Sequence, residues 1–349
     1  MSSHKQLAIV IPFAKGGLQL KETDKPGKPA PGKILLKIIA AGLNPLDFKM
    51  HDLDTLIPSY PAVIGSDYAG VVEDVGEGVT DWKKGDRIMM GSVGGAFQQY
   101  AIIENDPFIV RIPDDMSMAA AASIPIAFTT AAIGLFAEGP HGLGLNTSLS
   151  WDKPAAGKSA IIISASSSVG QYAIQLLKFL GVTTIVAYAS QRHADYLKEL
   201  GATDFVDRNT VSIAALPNHF FTKFDIVFDA FASYEAMAAG CDLLRNGGGF
   251  TTVIPSWDPF PPELAERFAK GSKRVAKIIA SYGVDSNTQA LGHLVVKNFA
   301  ELFSKGIVKP NRVEVLPGGL EGVIEGTERH RQGKVSGVKL VALPHGVSE

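Results

Sequence analysis

The stretch that decides the fold is Ala160-Ile161-Ile162-Ile163-Ser164-Ala165-Ser166-Ser167-Ser168-Val169-Gly170-Gln171-Tyr172-Ala173-Ile174-Gln175-Leu176-Leu177-Lys178-Phe179-Leu180. The apolar run at 160–163 reads as a buried strand. Five small residues follow, and Val169-Gly170 opens a helix with apolar residues at helical spacing. Strand, small-residue turn and helix start together make a phosphate cradle. Unpaired backbone N–H groups and the positive end of the helix dipole converge there, and only small side chains let a pyrophosphate approach. The usual dinucleotide form is G-x-G-x-x-G. Ala165, Ser167 and Gly170 stand at those positions, so two of the three glycines are replaced. Ser166, Ser167, Ser168, Val169 and Gly170 are the candidate phosphate contacts; a strand–helix turn that binds nothing is the alternative.

Working outward, residues 184–189 read as a second strand and 191–200 as a helix stopped by Gly201. Further strands fall at 204–206, 224–229, 249–254 and 274–280, with a helix at 234–244 stopped by Asn246-Gly247-Gly248. Strands alternating with helices at this spacing predict an α/β fold, a doubly wound parallel sheet. In such a sheet the ligand sits beyond the carboxyl ends of the strands.

The end of the second strand separates NAD from NADP. NAD binders place an acid about 20 residues beyond the glycine turn to accept the ribose hydroxyls. Here the strand ends Tyr188-Ala189-Ser190-Gln191-Arg192-His193, with no carboxylate. Ser190 can hydrogen-bond, and Arg192 can pair with a 2′-phosphate through its planar fork. The plain alternative is a solvated arginine, but a cation at a helix start opposes the dipole, and a bound phosphate removes that penalty. The expected cofactor is NADPH, with His193 beside it.

Bulk properties narrow the class. The chain has 349 residues, enough for two domains, a formal charge of −2 and 46% hydrophobic residues. No basic stripe suggests nucleic acid, and no apolar run is long enough to span a bilayer. No leader-like signal opens the chain, so a cytoplasmic location is expected. The single cysteine, Cys241, excludes an internal disulfide framework and reads as a buried thiol.

The first 125 residues have another texture. Residues 7–11, 33–41, 63–75, 87–90 and 98–103 read as short strands between Gly and Pro turns, a β-rich barrel-like domain. Residues 117–136 form an alanine-rich helical region broken at Pro125, a natural crossing between domains, and 139–157 an irregular loop. Residues 289–305 are amphipathic and helical. The tail at 312–343 is strand-like and glycine-rich, and is expected to return to the first domain.

Five pieces stand in order along the chain: Leu43-Asn44-Pro45-Leu46-Asp47, Gly65-Ser66-Asp67-Tyr68-Ala69-Gly70-Val71-Val72 with Val75-Gly76, Lys84-Gly85-Asp86-Arg87-Ile88, residues 166–170, and the tail Gly333-Lys334-Val335-Ser336-Gly337-Val338-Lys339-Leu340-Val341. With these pieces the layout resembles the medium-chain dehydrogenase/reductase superfamily, above all its zinc-independent quinone oxidoreductase and enoyl reductase branch. The resemblance implies a GroES-like catalytic domain at 1–126 completed by 284–349, and a Rossmann domain at 127–283. Zinc-dependent members carry a Cys where Leu43 or Asn44 falls and Gly-His-Glu where Gly65-Ser66-Asp67 stands. With Ser66 in place of the histidine and one cysteine in the chain, neither usual zinc site can be assembled. The eight histidines are scattered, and no metal is expected.

Loss of zinc favours hydride donation to an electron-poor acceptor over alcohol oxidation, because the metal is what lowers the alcohol's pKa. The resemblance implies an NADPH-dependent reductase of an enone, enoyl group or quinone, a homodimer acting on a small molecule. A trans-acting enoyl reductase of a polyketide pathway, a zinc-free alcohol or carbonyl dehydrogenase, and a non-catalytic nucleotide-binding protein remain alternatives. Asn44 is the residue expected at the nicotinamide, or else a turn residue ahead of Pro45, with Asp47 orienting its loop. Asp67 is expected in a buried network. Thr129 and Thr130 resemble the threonine near the nicotinamide, or pack a helix. Val253 and Ile254 offer backbone contacts to a carboxamide, or are plain sheet core. Ser336, Gly337 and Lys339 resemble the tail segment approaching the cofactor, Lys339 reaching a phosphate or lying at a strand edge. Asp207-Arg208 replaces a stretch where some relatives carry a tyrosine beside the 2′-phosphate, a departure that weakens the NADPH expectation. Tyr60 and Tyr68 are candidate acids or structural residues. Residues 255–268, with Trp257 and Phe260, line an acceptor pocket or form a surface or dimer-edge loop.

Overall fold

The computed structural model describes residues 4–255 and 258–346. It divides into two compact units, Met1–Ile126 with Pro310–Glu349, and Ala127–Lys309. The first crossing lies within the alanine-rich region. The second falls later than the expected 283/284, because the helix at 286–304 packs in the second unit, its buried Phe299 edge-on to Phe128 at 6.4 Å.

In the first unit, β1 (Lys5–Ile11) pairs with β2 (Gln19–Asp24). Next come β3 (Lys33–Gly42), α1 (Pro45–Leu53) and β4 (Ala62–Val63), which returns to β1. Then follow β5 (Asp67–Val75), β6 (Arg87–Gly91), β7 (Tyr100–Glu104), β8 (Val110–Arg111), α2 (Met118–Ala122) and the crossing helix α3 (Pro125–Phe136). The strand expected at 63–75 is two strands, because the chain changes sheets: β4 joins β1 while β5 joins β3. The second unit holds β9 (Ser159–Ile163), α4 (Ser168–Phe179), β10 (Thr184–Ala189), α5 (Ala194–Leu200), β11 (Asp204–Asp207), β12 (Phe224–Asp229) and α6 (Tyr234–Leu243). It continues with β13 (Leu244–Thr252), α7 (Pro262–Lys270), β14 (Arg274–Lys277) and α8 (Ser286–Ser304). The chain then re-enters the first unit as β15 (Val313–Val315), α9 (Gly322–Arg331) and β16 (Lys339–Ala342). The tail is therefore not strand-like throughout. Glu325 in the first turn of α9, and Arg329, His330 and Arg331 in its last, suit a helix dipole.

The second unit's sheet is parallel, in the order β11-β10-β9-β12-β13-β14. Its central strand β9 is apolar at 160–163 because both faces are covered. Asn246-Gly247-Gly248 does not stop a helix; it lies inside β13, which pairs with β12 from Leu244 onward through a register shift between Phe224 and Ile226. In the first unit the main sheet runs β15-β16-β3-β5-β6-β8, with β7 also on β3. Its core gathers Ile34, Leu36, Ile38, Tyr68, Val72, Phe97 and Leu340. Cys241 is buried and unoxidised, its thiol pushed up by burial.

Ser164, at the exit of β9, has φ 62, the left-handed region that costs a residue with a Cβ about 1 kcal/mol. Ser164→Gly should therefore stabilise the protein by about 0.5–1 kcal/mol. The urea unfolding midpoint checks this, and a midpoint that falls contradicts it.

Candidate functional site

The turn after β9 is built as a helix start. Ser167, extended in its backbone, caps α4 by accepting the Gly170 N–H on Oγ at 3.1 Å. At Gly170 a Cβ would lie 2.6 Å from the Ser164 carbonyl oxygen and 2.8 Å from Ala165 Cα. Close approach of helix to turn thus requires this glycine. The Ala165 N–H reaches the Tyr188 carbonyl at 3.1 Å, joining the turn to the end of β10. Fully buried Gln171 holds it from behind, donating to the Ser166 carbonyl at 2.9 Å and accepting from Tyr196 Oη on α5 at 3.0 Å.

Beside the end of β10 lies a cavity of about 320 Å³ lined by Ser190, Gln191, Arg192, Arg208 and Asn209. Residues 191–193 form a short 3-10 turn rather than the first turn of an α-helix. Two guanidinium groups share this cavity, and no carboxylate is among its lining residues. Asp207 faces its scaffold instead: Oδ1 accepts the N–H groups of Gln191 at 3.2 Å and Asn209 at 3.0 Å, tying both loops together. Arg192 Nε donates to His193 Nε2 at 3.2 Å. Asp207-Arg208, counted as a departure in sequence, supplies a second cation to the same cavity. Parallel pairing of Ala189 with Asp207 brings the two strand ends together, a signal present once the sheet order is known.

Other expected contacts scatter along the same unit. Thr129, half-buried on α3, bonds the buried Tyr282 hydroxyl, and Thr130 is buried. Val253 and Ile254 follow the end of β13, where the Val253 N–H reaches the Asp229 carbonyl at 3.2 Å. Buried Asp229, which sequence reading missed, accepts Phe231 N–H, Ala232 N–H and Thr252 Oγ1 at 3.0, 3.0 and 2.9 Å. Phe260, partly buried, packs edge-on against the buried Phe268 at 5.9 Å, and Trp257 lies outside the described residues.

In the first unit the structure brings Asn44, Asp67 and Lys339 together. Asn44 begins α1, its N–H donating to Asp47 Oδ2 at 2.7 Å, and its carboxamide points elsewhere. Nδ2 donates to Asp67 Oδ2 at 2.8 Å, while Lys339 Nζ donates to Asn44 Oδ1 at 2.6 Å and Asp67 Oδ2 at 2.7 Å. Asp67 Oδ1 accepts the Ile126 N–H at 2.8 Å. Lys339 is 2% exposed, so it is no strand-edge lysine, and its ammonium is committed to this cluster. Ser336, half-buried, precedes it in the tail. Asp47 is fully buried with Oδ1 unpartnered. Its carboxyl is pushed up to about 7 by burial, with Asp67 adding and the Asn44 N–H and Lys339 opposing. Half-buried His330, on α9, is pushed down to about 4 by desolvation and then by the charges of Lys339 and Arg329.

Ser66 Oγ is buried without a partner, and among the described residues no group of three His, Cys, Asp or Glu gathers as a metal set. Tyr60 donates to Asp54 and Tyr68 to the Gly94 carbonyl, so both hydroxyl protons are engaged. No helix of the described residues is long and apolar enough to cross a membrane.

Two family models match, "Alcohol dehydrogenase GroES-like domain" over residues 30–114 and "Zinc-binding dehydrogenase" over 168–293. The trans-enoyl reductase himH of Aspergillus japonicus is 31% identical over 322 residues, covering 88% of this chain and 89% of that protein. The chain belongs to the medium-chain dehydrogenase/reductase superfamily. Another superfamily relative, the chloroplastic quinone-oxidoreductase QR1 of Triphysaria versicolor, is 34% identical over 221 residues, 62% of this chain and 64% of that one. The fold is also that of mycobacterial Rv1454c, solved with NADPH, at TM-score 0.78 and 22% identity over 97% of this chain and 100% of that one. The superfamily's Rossmann-like domain binds a nicotinamide cofactor, and this member is an oxidoreductase.

Proposed function

We propose that the chain is an NADPH-dependent reductase of activated C=C bonds, acting on enones or enoyl groups, with quinones as further acceptors. One observation carries the reading: the cluster of Asn44, Asp67 and Lys339 offers a donor, and its own carboxylate is saturated. Asp67, its carboxylate, already accepts from Lys339, Asn44 and Ile126, so it is poorly placed to take an alcohol's proton. The Asn44 amide N–H that Asp67 does not take suits an oxygen that gains negative charge. Bound reduced nicotinamide supplies the hydride and both electrons.

The cofactor fits residues of this chain. Residues 166–170 form a cradle that a Cβ at Gly170 would disrupt, and they would hold the pyrophosphate. Ser190, Arg192, His193 and Arg208 would take the adenosine end, the paired guanidiniums favouring a 2′-phosphate. Thr129, Thr130, Val253, Ile254 and Ser336 would meet the nicotinamide end, with Asn44 at the reacting group. The kinship to himH, a trans-enoyl reductase by name, supports the enoyl acceptor. We further infer a GroES-like catalytic domain paired with a nucleotide-binding domain, in a cytoplasmic homodimer.

The test is oxidation of NADPH, followed by the absorbance of the reduced nicotinamide, against an enone, an enal, a quinone and a saturated ketone. Turnover of the first three with little of the ketone is expected. Activity confined to the ketone overturns the reaction class, and NADPH binding without any turnover marks a non-catalytic protein.

A further inference from the structure

The Asn44 carboxamide is gripped at both ends by groups that cannot trade roles. Its oxygen receives the Lys339 ammonium at 2.6 Å, and its nitrogen faces Asp67 Oδ2 at 2.8 Å. Turning the amide over would set NH₂ against NH₃⁺ and oxygen against carboxylate, two repulsive pairs. Asp67 cannot follow, because its Oδ1 holds the Ile126 N–H and its Oδ2 the lysine at 2.7 Å. The lysine is placed as firmly. β16 lies antiparallel to β3, with Val341 opposite Gly42, and the Leu43 N–H reaches the Leu340 carbonyl at 2.9 Å. A Cβ at Gly42 would come 2.9 Å from Lys339 Cε, so the lysine stem occupies the space beside that glycine.

We propose that Lys339 is a positioning residue of the reduction, fixing Asn44 so that the amide presents an N–H donor to the acceptor oxygen. The proposal rests on the reductase reading above. Stability alone does not account for the arrangement, since a buried ion pair is no better for folding than well-packed apolar side chains of the same volume. What the lysine contributes is polarity: with Oδ1 drawn inward, one amide N–H is given to Asp67 and the second remains to be offered. That polarity suits an oxygen acquiring negative charge as the double bond is reduced.

Lys339→Met alone leaves the Asp67 charge buried and unpaired, a folding defect in itself. The decisive variant is therefore Lys339→Met/Asp67→Asn, with both charges removed. Thermal midpoint, NADPH dissociation constant, kcat and acceptor KM are measured on it, on Asn44→Ala and on the triple combination. The paired variant should melt within a few degrees of the unaltered protein, keep its NADPH affinity within about threefold, and lose about 100-fold in kcat. Adding Asn44→Ala should lower kcat by less than about a further threefold, because changes acting on one route do not add. A paired variant with unimpaired kcat shows that the lysine only balances charge, and overturns the proposal. So does a full additional loss from Asn44→Ala. Absence of turnover by the unaltered protein overturns the reductase reading and this proposal together; the other two failures leave that reading standing.

Discussion

Replacing Arg192 and Arg208 together by alanine should raise the NADPH dissociation constant by about 100-fold to 1,000-fold and leave NADH within about threefold. Both guanidiniums line one cavity beside the end of β10, with no carboxylate among its lining residues. A charge-assisted hydrogen bond contributes about 1.5–3 kcal/mol. Taken at about 1.5–2 kcal/mol each because the cavity is open to solvent, two of them aimed at one phosphate dianion account for the range, and either single replacement should cost about tenfold to thirtyfold. The phosphate is the one group that NADH lacks, so the loss should be selective. It should also shrink in high salt, since the cavity is open to solvent ions. Titration of each nucleotide by its fluorescence or by calorimetry decides the matter. An equal loss for both nucleotides means the arginines hold the loops and not the phosphate.

A second large effect concerns pH. Asp47 sits at about 7 in the folded protein against an ordinary 3.8, and His330 at about 4 against 6.5. Between 3.8 and 7 the folded state holds the Asp47 proton more tightly than the unfolded chain does. Its contribution to stability is complete below 3.8 and is lost as pH rises through 7, at no more than about 1.4 kcal/mol per pH unit. For His330 the folded state holds the proton less tightly. Its contribution is complete above 6.5 and is lost as pH falls through 4. The slopes oppose each other from about pH 4 to 6.5, so these two contributions largely cancel there. Asp47→Asn should uncover a rise with pH across that window, and His330→Gln a fall. At pH 8, where the Asp47 carboxylate is ionised and buried, Asp47→Asn should be more stable than the unaltered protein by about 2–4 kcal/mol. Denaturant midpoints at three pH values test all of this, and parallel curves for the two variants would contradict it.

The strands of the nucleotide unit were legible because they are apolar on both faces and punctuated by small residues; residues 184–189 and 224–229 begin and end where expected. Turns that depend on partners elsewhere were not. Asn246-Gly247-Gly248 looks like a helix stop until β12 lies beside it and draws it into β13. α9 hides in a glycine-rich tail because Gly322 and Gly326 are small for packing, with a Cβ at Gly326 only 2.6 Å from Leu43 Cδ2. At the site, the phosphate turn announces itself locally, since its chemistry lies in consecutive residues. Arg208 does not, because it joins Arg192 only through the register of β10 and β11. Lys339 was singled out as a cation, but Asp67 lies 272 positions away, and nothing local marks a lysine as buried. Asp229 and Gln171 carry no signal of their own; each acts by holding backbone at a strand or helix end.

The double grip of Asp207 on Gln191 and Asn209 bears on any redesign of nucleotide preference. The acid closest in sequence to this cavity is a structural rivet, so it is not spare material for recruiting ribose hydroxyls. An engineer seeking an NADH enzyme would strip both arginines, graft a fresh carboxylate onto the neighbouring strand tip, and leave the rivet in place.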